Sequence, residues 1–189
     1  MRGDTVIVFA RAPRLGVKKR LARGIGAMAA LRFYRAQLAA TVRQARDARW
    51  RLVLAVTPDQ ARARWPRGVS RLGQGRGDLG QRMARALAGR RRAVLVGSDI
   101  PGLSRDDLAR AFRALGRADA VFGPAEDGGY WLVGYGPRRP ATPFADVRWS
   151  SRHALSDTLA NFAGRRVALL RRLRDVDTAA DLPASRRMR

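Results

Sequence analysis

Three short runs are apolar at successive positions rather than at every second one: Thr5–Val6–Ile7–Val8–Phe9, Leu52–Val53–Leu54–Ala55–Val56 and Ala93–Val94–Leu95–Val96–Gly97. A strand with one buried face alternates, whereas a strand covered by helices on both faces does not. The runs therefore predict central strands of a parallel sheet. Helical patterns lie between them. Met28, Leu31, Tyr34, Leu38, Val42 and Ala45 recur every three or four residues and predict one apolar face of a long helix. Leu79, Met83 and Leu87 predict a second helix. Leu108, Phe112 and Leu115 predict a third, behind a Ser104–Asp107 capping box. Leu155, Leu159 and Phe162 predict a fourth, capped by Ser150 or Ser151.

The remaining segments complete the outline. Residues from Ala10 to about Gly26 predict a loop, Gln60–Arg64 a short helical piece, and Val69–Leu72 a weak strand. Ala120–Phe122 and Tyr130–Val133 predict two strands whose connection is too short for a crossover helix. Val167–Leu170 predicts a last strand, and Thr178 with Asp181 a cap for a short final helix. The alternation predicts an α/β protein, a three-layer α/β/α sandwich on a mostly parallel, mixed sheet. One domain over 1–189 is expected, with a frayed tail at 184–189.

Composition narrows the chemistry. The chain has no Cys, which removes disulfides, thiolate nucleophiles and cysteine-ligated zinc. No apolar stretch approaches the roughly 20 residues of a membrane span. Met1–Asp4 shows no signal-peptide pattern, so a cytoplasmic protein is expected. The net charge of +24 would attract any polyanion, but the arginines are scattered and no nucleic-acid-binding motif accompanies them. A dedicated nucleic-acid partner is not expected. A nucleotide needs only a locally basic pocket.

Several loops carry residues suited to such a ligand. The apolar run Val94–Val96 ends in Gly97–Ser98–Asp99–Ile100–Pro101. A carboxylate at a strand's C-terminal tip sits where open α/β sheets bind ligands, and it suits a divalent cation carrying a phosphate. The alternative is a turn residue leading into the next helix. The loop after the first strand, from Arg11 through Lys18, Lys19 and Arg20, offers cations to a diphosphate, or is simply a solvated basic loop. Gln74–Gly75–Arg76–Gly77–Asp78 has two glycines that let a flat base approach, hydrogen-bonded to amides or to Gln74; Asp78 reads as a helix cap. Glu126–Asp127–Gly128–Gly129 interrupts two apolar strands. Asp127, Gly128 and Gly129 suit an acceptor, while Tyr130 and Trp131 read as core. Asp177 is a second carboxylate for a metal, or part of a helix entrance. His153, alone in a helical segment, is not read as a base.

Phe9–Ala10–Arg11–Ala12–Pro13, Gln74–Gly80, Gly97–Pro101, Gly123–Tyr130 and Arg174–Thr178 occur in an order that resembles the DUF2064 group of bacterial proteins, some named for arsenosugar biosynthesis. More distantly the chain is similar to phospholactate guanylyltransferases. The resemblance implies a glycosyltransferase-A, or nucleotide-diphospho-sugar transferase, fold. It implies that Asp99 stands for the fold's metal-binding acidic motif, with Asp177 as its late acidic partner. The family's first loop reads Gly-x-Val-Lys-x-Arg-Leu; here Gly16–Val17–Lys18–Lys19–Arg20–Leu21 is one residue shorter, and Arg20 is the aligned cation.

The expected activity is a Mg²⁺- or Mn²⁺-dependent glycosyltransferase. Asp99 and Asp127 are its catalytic residues, and Arg11, Lys19, Arg20, Gln74, Gly75, Gly77, Gly128 and Gly129 bind substrate. Asp99 and Asp177 hold the metal, and the partners are a nucleotide-sugar donor and a small-molecule acceptor. A nucleotidyltransferase acting on a small phosphorylated acceptor, and a non-catalytic basic binding protein, remain open.

Overall fold

A computed structural model describes residues 3–14, 16–174 and 178–181. The three non-alternating runs are the middle of its sheet. β1 (Asp4–Arg11) pairs in parallel with β2 (Arg51–Thr57) on one side and with β4 (Arg92–Gly97) on the other. Val8 stands opposite Leu54 and Val96 in one register. β3 (Ser70–Gly73) extends the sheet in parallel beyond β2. On the other side β6 (Tyr130–Tyr135) is antiparallel to both β4 and β5 (Ala120–Pro124), and β7 (Val167–Leu169) closes the edge in parallel with β5. The order is β3-β2-β1-β4-β6-β5-β7. The short β5–β6 connection is antiparallel, as its length requires.

Strand alternation divides the core into two layers. Val6, Val8, Leu54, Val94 and Val96 face α2 (Ala27–Ala45) and α4 (Arg105–Ala114) and pack on Tyr34, Leu38, Val42, Leu108 and Phe112. Ile7, Ala55, Leu95, Phe122 and Val133 face the opposite way, onto Met83 and Leu87 of α3 (Leu79–Leu87), Phe144 and Phe162. The middle of each central strand therefore spends its side chains on one core or the other.

Four local expectations need correction. Lys19–Ile25 is not loop but a short helix, α1, because Leu21 finds its own small cluster with Ala30 and Phe33. Met28, expected on the buried face of α2, is 55% exposed at the helix's first turn. Gln60–Arg64 is not helical. It makes a single turn, Ala61 N–H to the Pro58 carbonyl at 3.0 Å, and Trp65 is its one large apolar side chain, too little to hold a short helix. Ser150 and Ser151 do not cap α5 (Ala154–Ala160) directly: His153 occupies the cap position, and Ser151 Oγ accepts the His153 N–H at 3.1 Å one turn earlier. The expected frayed tail lies outside the described residues.

The chain after β7 is pinned by a buried acid. Asp107, 3% exposed, completes the capping box of α4 with Ser104. Its two oxygens accept Arg171 Nε and Nη2, each at 2.7 Å. Burial alone would raise the Asp107 carboxyl. Arg171 and the Ser104 backbone and hydroxyl outweigh it and hold the carboxyl below its usual range. Arg171→Leu leaves that carboxylate without its charge partner. We expect a loss of about 2 kcal/mol in urea unfolding at neutral pH, below the full cost for a buried pair because Arg171 is half exposed. A depressed carboxyl stabilises fully above its unfolded value, 3.8 for Asp, and less as pH falls towards its folded value. The gap between wild type and variant therefore narrows below that pH.

Candidate functional site

β1 has β2 on one flank and β4 on the other, so the direction in which successive strands are added reverses beside β1. In an open parallel sheet the loops leaving the strands' C-terminal ends diverge at that point and leave a crevice. Two cationic and acidic segments meet there. β1 ends at exposed Arg11, and the loop after it runs to Lys18, which adopts a left-handed backbone conformation (φ 51°) at the entrance of α1. Asp99 follows β4. Lys18 Nζ lies 2.5 Å from Asp99 Oδ2. The Asp99 side chain is 24% exposed, and its Oδ1 lies against Gly97.

A hydrogen-bond knot beneath this pair sets the two strand ends. The Tyr34 hydroxyl accepts the Arg11 N–H at 2.9 Å and donates to the Arg11 carbonyl at 3.0 Å. It also lies 3.0 Å from Ser98 Oγ, while Thr41 Oγ1 donates to the Ser98 carbonyl at 3.2 Å. Burial raises the Tyr34 hydroxyl above its ordinary pKa, although the bonds to Ser98 and Arg11 oppose it.

On the β2–β3 side, Gln74 is buried. Its Nε2 donates to the carbonyls of Ala10 at 3.2 Å and Ala55 at 3.0 Å, and its Oε1 accepts Arg82 Nη1 at 3.1 Å. The expectation that the Gln74 side chain hydrogen-bonds a base is therefore corrected: every polar atom of its amide is engaged in tying strand ends together. Burial and the nearby charge of Arg11 lower the Arg82 guanidinium, so two arginines converge here. Gly75 (φ 76°) donates its N–H to both Asp59 oxygens, at 3.0 and 3.2 Å, and Gly77 (φ 105°) is exposed. Asp78 is a helix cap, accepting Gln81 N–H at 2.7 Å in a capping box.

On the β4–β6 side lies a cavity of about 280 Å³. Phe9, Leu95 and Gly97 form its floor at the strand ends, Leu79 and Met83 of α3 one wall, and Tyr130 and Trp149 another. Asp127 and Gly129 stand at its rim with Ser150 and Ser151. Asp127 Oδ1 accepts the Gly129 N–H at 2.9 Å, which fixes the carboxylate on an exposed turn. Gly128 (φ 85°) has no room for a side chain, since a Cβ would overlap the Arg152 backbone. Trp131 is core, as expected, its indole N–H donating to the Arg171 carbonyl at 3.2 Å. Gly97, at the floor, links this cavity to Asp99.

Residues 38–151, more than half the chain, match a family described as an uncharacterized protein conserved in bacteria (DUF2064). The chain belongs to the DUF2064 family. No curated protein matches it. A candidate nucleotide-diphospho-sugar transferase from Desulfovibrio desulfuricans G20 is 28% identical, with a TM-score of 0.87 over 95% of this chain and 84% of that one. Two more remote structures are each 10% identical and share the fold. One is 4-diphosphocytidyl-2C-methyl-D-erythritol synthase from Anaerococcus prevotii DSM 20548 (TM-score 0.59; 95% and 92% of the chains). The other is glucosyl-3-phosphoglycerate synthase from Mycobacterium tuberculosis in complex with Mn²⁺, uridine diphosphate and glucosyl-3-phosphoglycerate (TM-score 0.52; 92% and 71%). The sheet is that of the nucleotide-diphospho-sugar transferases.

In this DUF2064 chain the sequence-selected residues fall on one sheet edge, with exceptions. The lysine in contact with Asp99 is Lys18; Lys19 and Arg20 are exposed in the first turn of α1. Asp177 lies outside the described residues. Among the described residues no three acids or histidines cluster closely enough to cage a metal without substrate oxygens. Sequence reasoning missed Tyr34, Arg82 and Trp149. Tyr34 and Arg82 sit within helical patterns that look like ordinary helix faces, so only tertiary contacts reveal them. Tyr34→Phe removes the shared hydroxyl and leaves the Arg11 and Ser98 groups without it. We expect a loss of about 1–2 kcal/mol in chemical denaturation. We also expect faster amide exchange at Arg11 in the native state, measured by NMR.

Proposed function

We propose that the chain transfers a glycosyl group from a nucleotide diphosphate-sugar to the hydroxyl of a small acceptor. The observation that carries this reading is the Lys18–Asp99 pair at the sheet's point of reversal. Arginines flank it on one side, and a cavity rimmed by Asp127 flanks it on the other. The neighbour at 28% identity, a candidate nucleotide-diphospho-sugar transferase, supports the same class.

The residues fit a divalent cation of the hard, oxygen-seeking kind. Mg²⁺ commonly takes one or two carboxylates and completes its shell with phosphate oxygens and water. Asp99 supplies a partly exposed carboxylate of that kind, and Asp177 is the second that the sequence offers. When bound, Mg²⁺ or Mn²⁺ neutralises charge that develops on the departing nucleoside diphosphate. Lys18 holds Asp99 when no donor is present, and it is a ready phosphate partner once that contact is displaced. Arg11 and Arg20 add positive charge for the diphosphate. The Gly75–Gly77 turn borders the nucleoside through its backbone, the side-chain positions of both glycines being taken up by Arg85 and Gln81. Asp127 accepts the acceptor's hydroxyl proton as the oxygen bonds to the anomeric carbon. The bond from that carbon to the diphosphate oxygen breaks, and its electron pair leaves with the nucleoside diphosphate.

Asp99→Asn and Asp127→Asn separate the two halves of the site. UDP, GDP, ADP and dTDP, each with Mn²⁺, are titrated into wild type by calorimetry. For the diphosphate that binds best, Asp99→Asn is expected to weaken binding at least tenfold, about 1.4 kcal/mol, and to lose the metal dependence. Asp127→Asn keeps both. Asn serves as well as Asp in a turn or cap, so unchanged affinity and unchanged metal dependence in Asp99→Asn would falsify the assignment of Asp99.

A further inference from the structure

The cavity beside β4 and β6 has a chemical character that the rest of the protein lacks. Lys and Arg make up 39 of the 189 residues, yet none of the described residues lining it is either one. Its floor and walls are Phe9, Leu79, Met83, Leu95, Tyr130 and Trp149. Its charged member is a carboxylate, Asp127, held at the rim by the Gly129 N–H at 2.9 Å. Of the cations around that turn, Arg174 lies 2.6 Å from Asp181 and 3.9 Å from Glu126, and Arg152 Nε lies 3.5 Å from His153 Nε2.

A phosphate or carboxylate entering such a cavity would lose its hydration without gaining a cation and would face the charge of Asp127. That cost is large for any unpaired anion. A flat or aliphatic ring would instead bury its faces against aromatic and aliphatic walls. A cavity of roughly 150 Å³ lined by apolar side chains admits one benzene. The 280 Å³ here therefore suits a single ring with a short arm. One hydroxyl on that arm reaches the rim, where Asp127 and the Ser150 and Ser151 hydroxyls are the polar groups.

We propose that this cavity is an acceptor site for an uncharged, ring-bearing alcohol, and that it excludes phosphorylated and acidic acceptors. This rests on reading the chain as a transferase, and it names the acceptor class for that reading. The specificity-determining residues are Trp149 and Tyr130, which supply the ring contacts, and Asp127, which selects a hydroxyl over an anion.

The test compares two molecules that differ by one group, 2-phenylethanol and its phosphate monoester, in titrations of ¹⁵N-labelled wild-type protein without nucleotide. The alcohol is expected to shift the Gly129 and Ser151 amides and the Trp149 indole N–H, with millimolar affinity and at least tenfold preference over the monoester. Ala154→Leu narrows the cavity from α5 and is expected to weaken the alcohol at least fivefold while leaving nucleoside diphosphate binding with Mn²⁺ unchanged. Equal or tighter binding of the monoester at these residues overturns the proposal and favours nucleotidyl transfer to a phosphorylated acceptor. Shifts confined to other residues, or no saturable shifts, also overturn it. The wild-type comparison needs no variant, so a misfolded Ala154→Leu protein leaves the outcome decided. Failure of every diphosphate to bind would remove the donor reading and leave the cavity result standing, so the two failures are distinguishable.

Discussion

The Tyr34 hydroxyl comes from α2, yet it bonds both the N–H and the carbonyl of Arg11 at the end of β1 and reaches Ser98 at the end of β4. With its own proton given to the Arg11 carbonyl, the third bond is donated by Ser98. One buried group thus fixes where two parallel strands release their chains, and so where Lys18 and Asp99 meet. Backbone ladders cannot do this, because they end where the strands diverge. The cost is burial of a phenol, offset by three hydrogen bonds that would otherwise be made to water. Thr41, two turns of helix further on, donates to the Ser98 carbonyl and holds the same strand end. The geometry of this edge follows from side chains buried beneath it.

The strand order then arranges the edge in a line. β3 and β2 end at Gly75, Asp59 and the Gln74–Arg82 contact; β1 and β4 end at Arg11, Lys18 and Asp99; β4 and β6 border the apolar cavity and Asp127. In the proposed transfer, nucleoside, diphosphate and acceptor would follow one another along that line in the order in which they are bonded. The antiparallel β6 matters to this layout. A parallel strand would bring the C-terminal end of another βα unit to this edge; β6 instead brings its beginning, Tyr130, and the tight Asp127–Gly129 turn before it. The turn is rigid because Asp127 bonds its own Gly129 and because Gly128 sits against the Arg152 backbone.

The sheet was legible because burial on both faces leaves a mark in a single strand. Val6, Ile7 and Val8 need no knowledge of their neighbours to read as central. The cap at Asp78 and the capping box at Ser104 were legible for the same reason: their bonds span three residues. The site divides along that line. Asp99 and Asp127 were visible as acids that interrupt apolar runs. Gln74 was visible too, but not its use, since its partners Ala10 and Ala55 are remote in sequence. Lys18 and Lys19 are adjacent and chemically identical; which one reaches Asp99 depends on the left-handed turn at residue 18, a backbone choice the side chains do not announce. Trp149 lies between elements, where no periodicity assigns it a face.

The excess of positive charge has a different distribution from that of the site. Apart from Asp99 with Lys18, several acids pair away from the sheet edge: Asp4 with Arg92, Asp107 with Arg171, Asp119 with Arg138 and Asp157 with Arg148. These pairs brace the scaffold. The Arg148 guanidinium and backbone N–H hold the Asp157 carboxyl down to about 2, so the bracing persists through mildly acid conditions. What is left over is a diffuse cationic field that draws any anion from any direction. A field of that kind attracts all anions alike and cannot choose among them. Choice requires a place where the field is cancelled and desolvation decides. On the acceptor-site proposal the apolar cavity, with Asp127 at its mouth, is such a place, and its discrimination would come from what it withholds from an anion rather than from what it offers.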